Sequence, residues 1–405
     1  MPEMIAPKVL SFASILDDTT RSQAHGISTL PFIHPHVALM PDAHAGKGSA
    51  VGTVIPTVDA VIPAAVGVDI GCGMIGVQTS IGKDDIAGFD LADLRRRVES
   101  TIPLSPGNYN KAVLYPHTES RIAELEKAAA EKNVDLSHSP KWREQLGSLG
   151  GGNHFIELCE QVGDDQGRGD GMGSIWLFLH SGSRGVGNKI AQKHIKIAQE
   201  QCRRRHIPLA HPDLAHLAAG TPEFGDYIRE LRWAQRFAFE NRAEMMDRFL
   251  TVFGEWLGDN SFRPVDVIEL RRINCHHNYT EKVEIADRAV WLTRKGAIDA
   301  SAGTHGLIPG SMGTKSYVVR GLGNESGLFS APHGAGRRFS RTKAKKLFTL
   351  DDLEAAMTGI EYRHGAEWID EIPDAYKPID QIMDDARDLV EVEAVLTQLL
   401  NVKGV

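Results

Sequence analysis

Short apolar runs along the chain end repeatedly in glycine- and serine-rich turns that carry an acid, an imidazole or a thiol. Val37 to Met40 reads as a strand that empties into Pro41-Asp42-Ala43-His44-Ala45-Gly46-Lys47-Gly48, and strand-like runs continue through Val51 to Ile55 and Ala60 to Val68. The last run leads into Val66-Gly67-Val68-Asp69-Ile70-Gly71-Cys72-Gly73-Met74, which sets a carboxylate and a thiol among three glycines. Glycine permits positive φ and close approach of a ligand, so a strand ending this way can aim Asp69 and Cys72 at one point. Leu149-Gly150-Gly151-Gly152-Asn153-His154-Phe155-Ile156-Glu157 repeats the theme on an entering strand. Alternation there puts His154 with Ile156 on one face and Asn153, Phe155 and Glu157 on the other. Ile175 to Leu179 is a buried strand ending at His180, and His180-Ser181-Gly182-Ser183-Arg184-Gly185-Val186-Gly187-Asn188 opens a helix from Asn188 to Arg205. The free N–H groups and dipole at its start attract an anion, and Arg184 adds a fork suited to phosphate.

Helical spacing fills the intervals. Asp90 caps a helix with Leu91, Leu94 and Val98 on one face, and Thr118 to Lys132 forms a second helix; both read as structural cover. Pro103 to Tyr115 reads as a loop and Gly163 to Gly173 as a polar turn. Phe224, Tyr227, Ile228, Leu231, Phe237, Phe249 and Phe253 mark a long or broken helical segment whose aromatic stripe is core. Val290 to Thr293 and Tyr317 to Arg320 read as strands around Pro309-Gly310-Ser311-Met312-Gly313-Thr314-Lys315-Ser316, a loop whose N–H and hydroxyl donors can wrap a triphosphate. Leu350 to Met357 and Asp380 to Leu400 read as amphipathic helices. With no repeat and no linker, residues 1–405 are expected to form one α+β domain.

Composition narrows the class. A 42% hydrophobic, 24% charged chain is globular, and no apolar run reaches the roughly 18 residues of a membrane span. The start lacks the basic-then-apolar pattern of a signal peptide, so the cytoplasm is the expected location. Cys72, Cys159, Cys202 and Cys275 are too scattered for a disulfide framework, which leaves metal binding or catalysis as their use. A net charge of −8 argues against coating of the whole surface by nucleic acid, but His333 to Lys346 holds Arg337, Arg338, Arg341, Lys343, Lys345 and Lys346 with no acid among them.

With 17 histidines in the chain, any one alone is best read as a surface or satisfied core residue, and Asp-x-x-Cys alone is best read as a buried small hydrophobe. Repetition changes the odds. Asp69, Cys72, His154, His180, His277 and His333 all lie at strand ends or beside glycines. One carboxylate, one thiolate and three imidazoles exceed the needs of a single tetrahedral ion, so two ions bridged by Cys72 are expected. Of the adjacent His276 and His277, one imidazole can face a given metal. Cys/His ligation favours zinc and oxygen-rich octahedral sites suit manganese, so ligand chemistry alone leaves the metal open.

Together, Asp69-Ile70-Gly71-Cys72-Gly73-Met74, Gly152-Asn153-His154-Phe155, His180-Ser181-Gly182-Ser183-Arg184-Gly185, His277-Asn278, Pro309-Gly310-Ser311-Met312-Gly313 and His333-Gly334-Ala335-Gly336-Arg337 resemble the RtcB family of RNA ligases. The resemblance runs from Pro41-Asp42-Ala43-His44 to Val402-Lys403-Gly404 and implies a single large domain, with central mixed β-sheets flanked by helices around a buried binuclear metal site. It implies a GTP- and Mn²⁺-dependent enzyme that joins an RNA 3′-phosphate or 2′,3′-cyclic phosphate to a 5′-hydroxyl, in tRNA splicing or RNA repair. Carried over, Asp69, Cys72, His154, His180 and His277 correspond to ligands of two Mn²⁺ ions, and His333 to the nucleophile that takes GMP. Asn153, Phe155, Glu157, Ser311, Ser316, Tyr376 and Lys403 correspond to guanylate-holding positions, and Arg184, Arg337 and Arg341 to anion-binding arginines. Asp42, His44 and Lys47 are expected near the incoming RNA end. One local departure is Phe329-Ser330-Ala331-Pro332 before His333, where the proline fixes φ and removes an N–H. The readings from other classes are a metal phosphoesterase and a noncatalytic RNA-binding paralogue.

Overall fold

Strands that are apolar on both faces need cover on both sides, and the computed structural model supplies it with two sheets and a long helix. It describes residues 2–112, 115–163, 171–262 and 264–404. Residues 113 and 114 of the expected loop, and 164–170 of the expected polar turn, lie outside the described residues.

The larger, eight-stranded sheet runs in the order Glu269–His276, Gly73–Gly82, Ser174–Ser181, Phe155–Gly163, Val390–Lys403, Ser316–Gly321 and His305–Pro309, with the short strand Glu361–Tyr362 parallel to Val390–Lys403. The smaller has six strands, in the order Glu3–Ala6, Val9–Ser11, Val37–His44, Val51–Thr57, Arg288–Lys295 and Asn278–Ile285. Both are mixed sheets, mainly antiparallel with one parallel pairing each. Alternate residues of the larger sheet serve two cores. Ile75, Val77, Leu158, Leu177 and Leu179 pack with Met245, Phe249, Phe253 and Trp256 of the helix Pro222–Ser261. Met74, Phe155, Trp176 and Phe178 share a core with Met40, Val54, Val290 and Leu292 of the smaller sheet. A third core joins Trp142, Trp233 and Phe237 beneath the helix Arg184–Arg204.

Much of the expected pattern is present. Asp90 caps Leu91–Thr101 through a bond from the Ala92 N–H, with Leu94 and Val98 buried. The second helix spans Pro116–Lys132. The aromatic stripe lies on one unbroken 40-residue helix, Pro222–Ser261, and all seven of its residues are buried.

Four expectations are corrected. Residues 60–68 are not one strand: Ala60–Val61 pairs with Leu217–Ala218, and Pro63, whose fixed φ suits a first helical turn, then starts the short helix Pro63–Val66. Asp69 and Cys72 therefore lie on a turn leading into a strand, Gly73–Gly82, instead of leaving one. The strand beginning at Val37 runs on through His44, with a break in register between Leu39 and His44, so Asp42 belongs to a strand and not to a loop. The helix expected from Asn188 begins at Arg184. Residues 380–400 split into the helix Ile379–Asp385 and the strand Val390–Lys403. The alternation of Val390-Glu391-Val392-Glu393 has the period of a strand, and pairing with strands on both sides outweighs the helical pattern read over the whole segment. No helix among the described residues is long and apolar enough to cross a membrane.

Two consecutive, fully buried residues of the long helix tie the site-bearing turns together. Asn241 accepts from the N–H groups of Gly147 and Ser148 at 2.7 and 3.2 Å and donates to the Gly182 carbonyl at 3.1 Å. Arg242 donates to the carbonyls of Gly71 at 2.7 Å and Ser181 at 3.2 Å and to Asn274 Oδ1 at 2.8 Å. Burial pulls the Arg242 pKa down to about 10, still high enough to stay charged at neutral pH. Arg242→Met removes all three of these hydrogen bonds, and denaturant titration is expected to show a loss of about 3 kcal/mol in unfolding free energy.

Candidate metal centre

The centre is assembled where the two sheets join. The strand Glu269–His276 of the larger sheet becomes Asn278–Ile285 of the smaller with His277 as the single residue between them. The Cys72 carbonyl accepts from the His277 N–H at 2.7 Å, and the Gly71 N–H donates to the Asn278 carbonyl at 2.7 Å, so the turn carrying Asp69 and Cys72 is knitted to that junction. Glycine here makes room for protein rather than ligand. A Cβ at Gly73 would meet the Cys275 carbonyl at 2.0 Å, and one at Gly182 would meet Asp69 Oδ1 at 2.2 Å.

Five side chains converge as expected from sequence. Cys72 Sγ lies 3.4 Å from His154 Nε2 and 3.2 Å from His180 Nε2. His154 Nε2 is 3.1 Å from Asp69 Oδ2, and His180 Nε2 is 2.9 Å from His277 Nε2. They form two triads, Asp69–Cys72–His154 and Cys72–His180–His277, each with ligand atoms within 4.8 Å of one another and with Cys72 common to both. Two main-chain carbonyls orient the rings. His154 Nδ1 donates to Leu149 O at 2.9 Å and His180 Nδ1 to Asn153 O at 3.1 Å, which turns both Nε2 atoms toward the thiol. His276 faces away, its Nδ1 on the Gly71 carbonyl at 2.8 Å. One imidazole of the adjacent pair thus faces the centre.

Electrostatics agree with a cation site. Burial holds His180 and His277 far below the usual histidine pKa, so both are neutral. Burial, and then the charge of Asp69, raises the Cys72 thiol well above its ordinary value, so a metal must displace its proton. Burial also opposes ionisation of Asp69, yet the bond from His154 and the field of His154 and Arg184 outweigh it and hold the carboxyl at about 2. A sulfur, a carboxylate oxygen and three ring nitrogens crowded in this way fit two divalent transition-metal ions sharing a thiolate.

A cavity of about 330 Å³ opens over the centre, and Asp69, His180 and His277 reach its wall. Asn153, Phe155 and Glu157 line it together, as alternation predicts, while His154 turns below to the thiol. Ser311, His333, Arg337, Arg341, Tyr376 and Lys403 complete the expected set at the wall. Ser316 and Arg184 are not at the wall. Ser316 is buried under the loop with its hydroxyl unpartnered, and the Arg184 guanidinium packs on Gly150 beside the centre, its Nε also without a partner. His44 lines the cavity and Lys47 is exposed outside it.

His333 follows the strand Ser330–Pro332, which pairs with Ala297–Asp299 and so seats Pro332 on a short two-stranded edge. Its Nδ1 donates to Asp42 Oδ2 at 2.6 Å, and its ring centroid lies 4.6 Å from that of His277. Asp42 is completely buried behind the ring. With Nδ1 engaged by a carboxylate, Nε2 is left as the reactive nitrogen.

Glu371 is the main residue that sequence reasoning missed. It accepts from Lys403 Nζ and Tyr376 OH at 2.9 Å each, from Arg337 Nη1 at 3.2 Å and from Arg341 Nη1 at 2.5 Å. Burial works against its charge, but Lys403, Arg341 and Arg337 overcome it and keep the carboxyl below its usual pKa. Asp370 likewise pairs with Arg341 at 2.7 Å and Lys345 at 3.2 Å. The basic run is therefore partly neutralised by acids some thirty positions downstream. The available signal was the acid pair enclosed by apolar neighbours in Trp368-Ile369-Asp370-Glu371-Ile372, since charges in an apolar run need partners. All four cysteines are free, and Cys72 alone among them joins either triad.

Comparison with known proteins adds an independent line. Residues 23–404 match the family profile described as tRNA-splicing ligase RtcB. The RNA-splicing ligase RtcB of Escherichia coli strain K12 is 42% identical over 396 residues, covering 95% of this chain and 94% of that protein. RNA-splicing ligase RtcB2 of Escherichia coli strain ATCC 25922 is 31% identical, with 89% and 85% covered, and tRNA-splicing ligase RtcB of Aeropyrum pernix is 29% identical, with 90% and 87% covered.

Because both triads share one sulfur, Cys72→Ala should empty both positions. Mass-spectrometric metal analysis is expected to fall from about two ions per chain to nearly none, while Cys275→Ala, outside both triads, keeps its metal.

Proposed function

As the chain belongs to the RtcB family of tRNA-splicing ligases, we propose that it is an RNA ligase of tRNA splicing or RNA repair that joins a 3′-phosphate or 2′,3′-cyclic phosphate end to a 5′-hydroxyl end with GTP as its second substrate. The observation that carries this reading is His333, oriented by buried Asp42 in the wall of a nucleotide-sized cavity and set beside a metal-capable histidine. The enzyme acts in the cytoplasm as one domain over residues 1–405.

Asp69, Cys72, His154, His180 and His277 would hold two Mn²⁺ ions, whose Lewis-acid charge would offset the negative charge of the reacting phosphates. The protein's own groups do the rest. Asp42 holds the proton on Nδ1, so Nε2 of His333 attacks the α-phosphorus of GTP, a P–N bond forms, and the bond to pyrophosphate breaks. An oxygen of the RNA 3′-phosphate then attacks that phosphorus, the P–N bond breaks, and His333 is regenerated. The 5′-hydroxyl attacks the activated 3′ end, loses its proton, and GMP leaves. A cyclic phosphate end is first opened by water.

The cavity wall accounts for the choice of nucleotide. Phe155 and Tyr376 offer rings to the base, Glu157 accepts from the N–H edge of guanine, and Lys403 donates to its oxygen. Asn153 and Ser311 line the same wall, and Ser316, whose hydroxyl has no protein partner, completes the guanylate donors. Arg337 and Arg341 hold RNA and nucleotide phosphates by exchanging part of their pairing with Glu371 for phosphate oxygens, and Arg184, off the wall beside the metal centre, is the third anion-binding arginine.

Incubation with α-labelled GTP and Mn²⁺, followed by denaturing electrophoresis, should label the protein without RNA. The label should be stable to base and labile to acid, as a phosphoramidate is. His333→Ala should abolish labelling and the joining of 3′-phosphate ends, yet still seal RNA supplied with its 3′ end already guanylylated. Asp42→Asn should slow labelling by about 100-fold. An acid-stable label, or one that persists in His333→Ala, would falsify the assignment, and phosphate release without nucleotide would identify a phosphoesterase instead.

A further inference from the structure

Near its end the strand Val390–Lys403 carries an extra residue against its neighbour Phe155–Gly163. Gln398 faces Cys159 and Leu400 faces Leu158, so Leu399 has no partner across the pairing; beyond it Asn401 faces Glu157 and Lys403 faces Phe155. In a regular strand Gln398 and Asn401, three positions apart, point to opposite faces. The bulge shifts the phase and puts both on the face of Glu157 and Phe155.

A directional chain of amides results. Gln398 Nε2 donates to the carbonyls of Ser311 at 2.9 Å and Thr314 at 3.1 Å, and its Oε1 accepts from the Gly313 N–H at 3.0 Å. These main-chain bonds decide which end of the Gln398 amide is oxygen. That oxygen lies 3.4 Å from Asn401 Nδ2, which turns the Asn401 amino group toward Glu157 and lets it donate to Oε1 at 2.7 Å. Asn401 is 2% exposed, lines the cavity, and has an Oδ1 without a partner. Lys403, the cation near Glu157, gives its hydrogen bond to Glu371.

The two purines ask opposite things of such a carboxyl. Guanine offers two N–H donors, at N1 and at its 2-amino group, and an ionised carboxylate accepts both. Adenine offers an acceptor at N1 beside an amino donor, which a protonated carboxyl matches. We propose that Asn401 is the specificity-positioning residue that holds Glu157 as an acceptor, so that the pocket takes guanine over adenine, and that Gln398 links this choice to the loop between Pro309 and Ser316. The inference rests on the proposed guanine pocket and goes beyond it by naming what sets the protonation state of the reader.

The groups facing Glu157 are Lys403 and Asn401 from the neighbouring strand, Cys159 on its own strand, and, through Lys403, Glu371 of the short helix Ala366–Glu371. Burial raises the Glu157 pKa to about 8 against the lowering effects of Lys403 and Asn401, so the acid and its base are both within reach near neutral pH. At about 8 the unliganded carboxyl is mostly protonated at pH about 7, and the two N–H donors of a bound guanine join Asn401 in drawing it to the carboxylate; loss of the Asn401 donor raises the pKa further, and raising the pH restores the carboxylate.

The test is covalent labelling of the full-length, Mn²⁺-loaded protein by α-labelled GTP and by α-labelled ATP, at about pH 7 and about pH 9. Wild type is expected to prefer GTP. Asn401→Leu, similar in size but without a donor, should lower the GTP:ATP ratio by at least about 10-fold at the lower pH and regain most of it at the higher. Gln398→Leu should shift the ratio the same way by a smaller factor. Equal loss with both nucleotides at both pH values, as a merely structural role gives, overturns the proposal, and so does an unchanged ratio. If the leucine variant does not fold, Asn401→Asp carries the test: an acceptor in place of the donor must depress the GTP:ATP ratio, and a preserved ratio refutes the role. A wild type that takes label from neither nucleotide refutes the proposed function itself. One that takes label equally from both refutes the guanine pocket, and the role of Asn401 with it.

Discussion

A carboxylate and three imidazoles are packed around one thiol sulfur at distances where, without a cation, lone pairs face one another. Everything near them is arranged to hold that crowding in place. Main-chain carbonyls of Leu149 and Asn153 turn two rings inward, the junction of the two sheets presents a third, and the buried Asn241–Arg242 pair anchors the turns from behind. Hydrophobic burial is non-directional and sets the layers, but it cannot aim a side chain to within a few tenths of an ångström. In this protein the aiming is done by buried polar groups that bond to backbone, which is why so many uncommon residues for an interior are found within hydrogen-bond reach of the centre.

The two carboxylates beside Lys403 show how burial and neighbours divide the work. Glu371 meets two arginines, a lysine and a tyrosine and stays ionised, which lets it hold the cations of the cavity wall in place. Glu157 meets one amide and a more distant ammonium, and burial dominates. Residues of the same type separated by one lysine thus have opposite leanings, a difference that follows from the count and kind of donors around each.

The residues of the two triads were legible in sequence because each stands at a strand end or beside glycine, where local pattern and chemistry coincide. Glu157 and its companions on alternate positions were legible for the same reason. What local pattern missed was long-range. Asp42 looked like part of a polar turn because its reason for being buried, the His333 ring, lies 291 positions away. Glu371 attracted no attention because its partners come from two distant segments. The strand Val390–Lys403 was read as helix since its neighbours on both sides, and the bulge that phases Gln398 with Asn401, belong to pairing that no window of sequence contains.

That strand occupies an interior slot of the larger sheet, between Phe155–Gly163 and Ser316–Gly321, and it supplies Asn401 and Lys403 to the cavity. During synthesis the strands on either side leave the ribosome first and must wait, with open edges, for more than sixty further residues before the slot can be filled. A growing chain that has reached residue 389 already contains His333 and every residue of the two triads, yet lacks one wall of the cavity. The cavity wall is therefore completed only when the last strand enters its slot, late in translation.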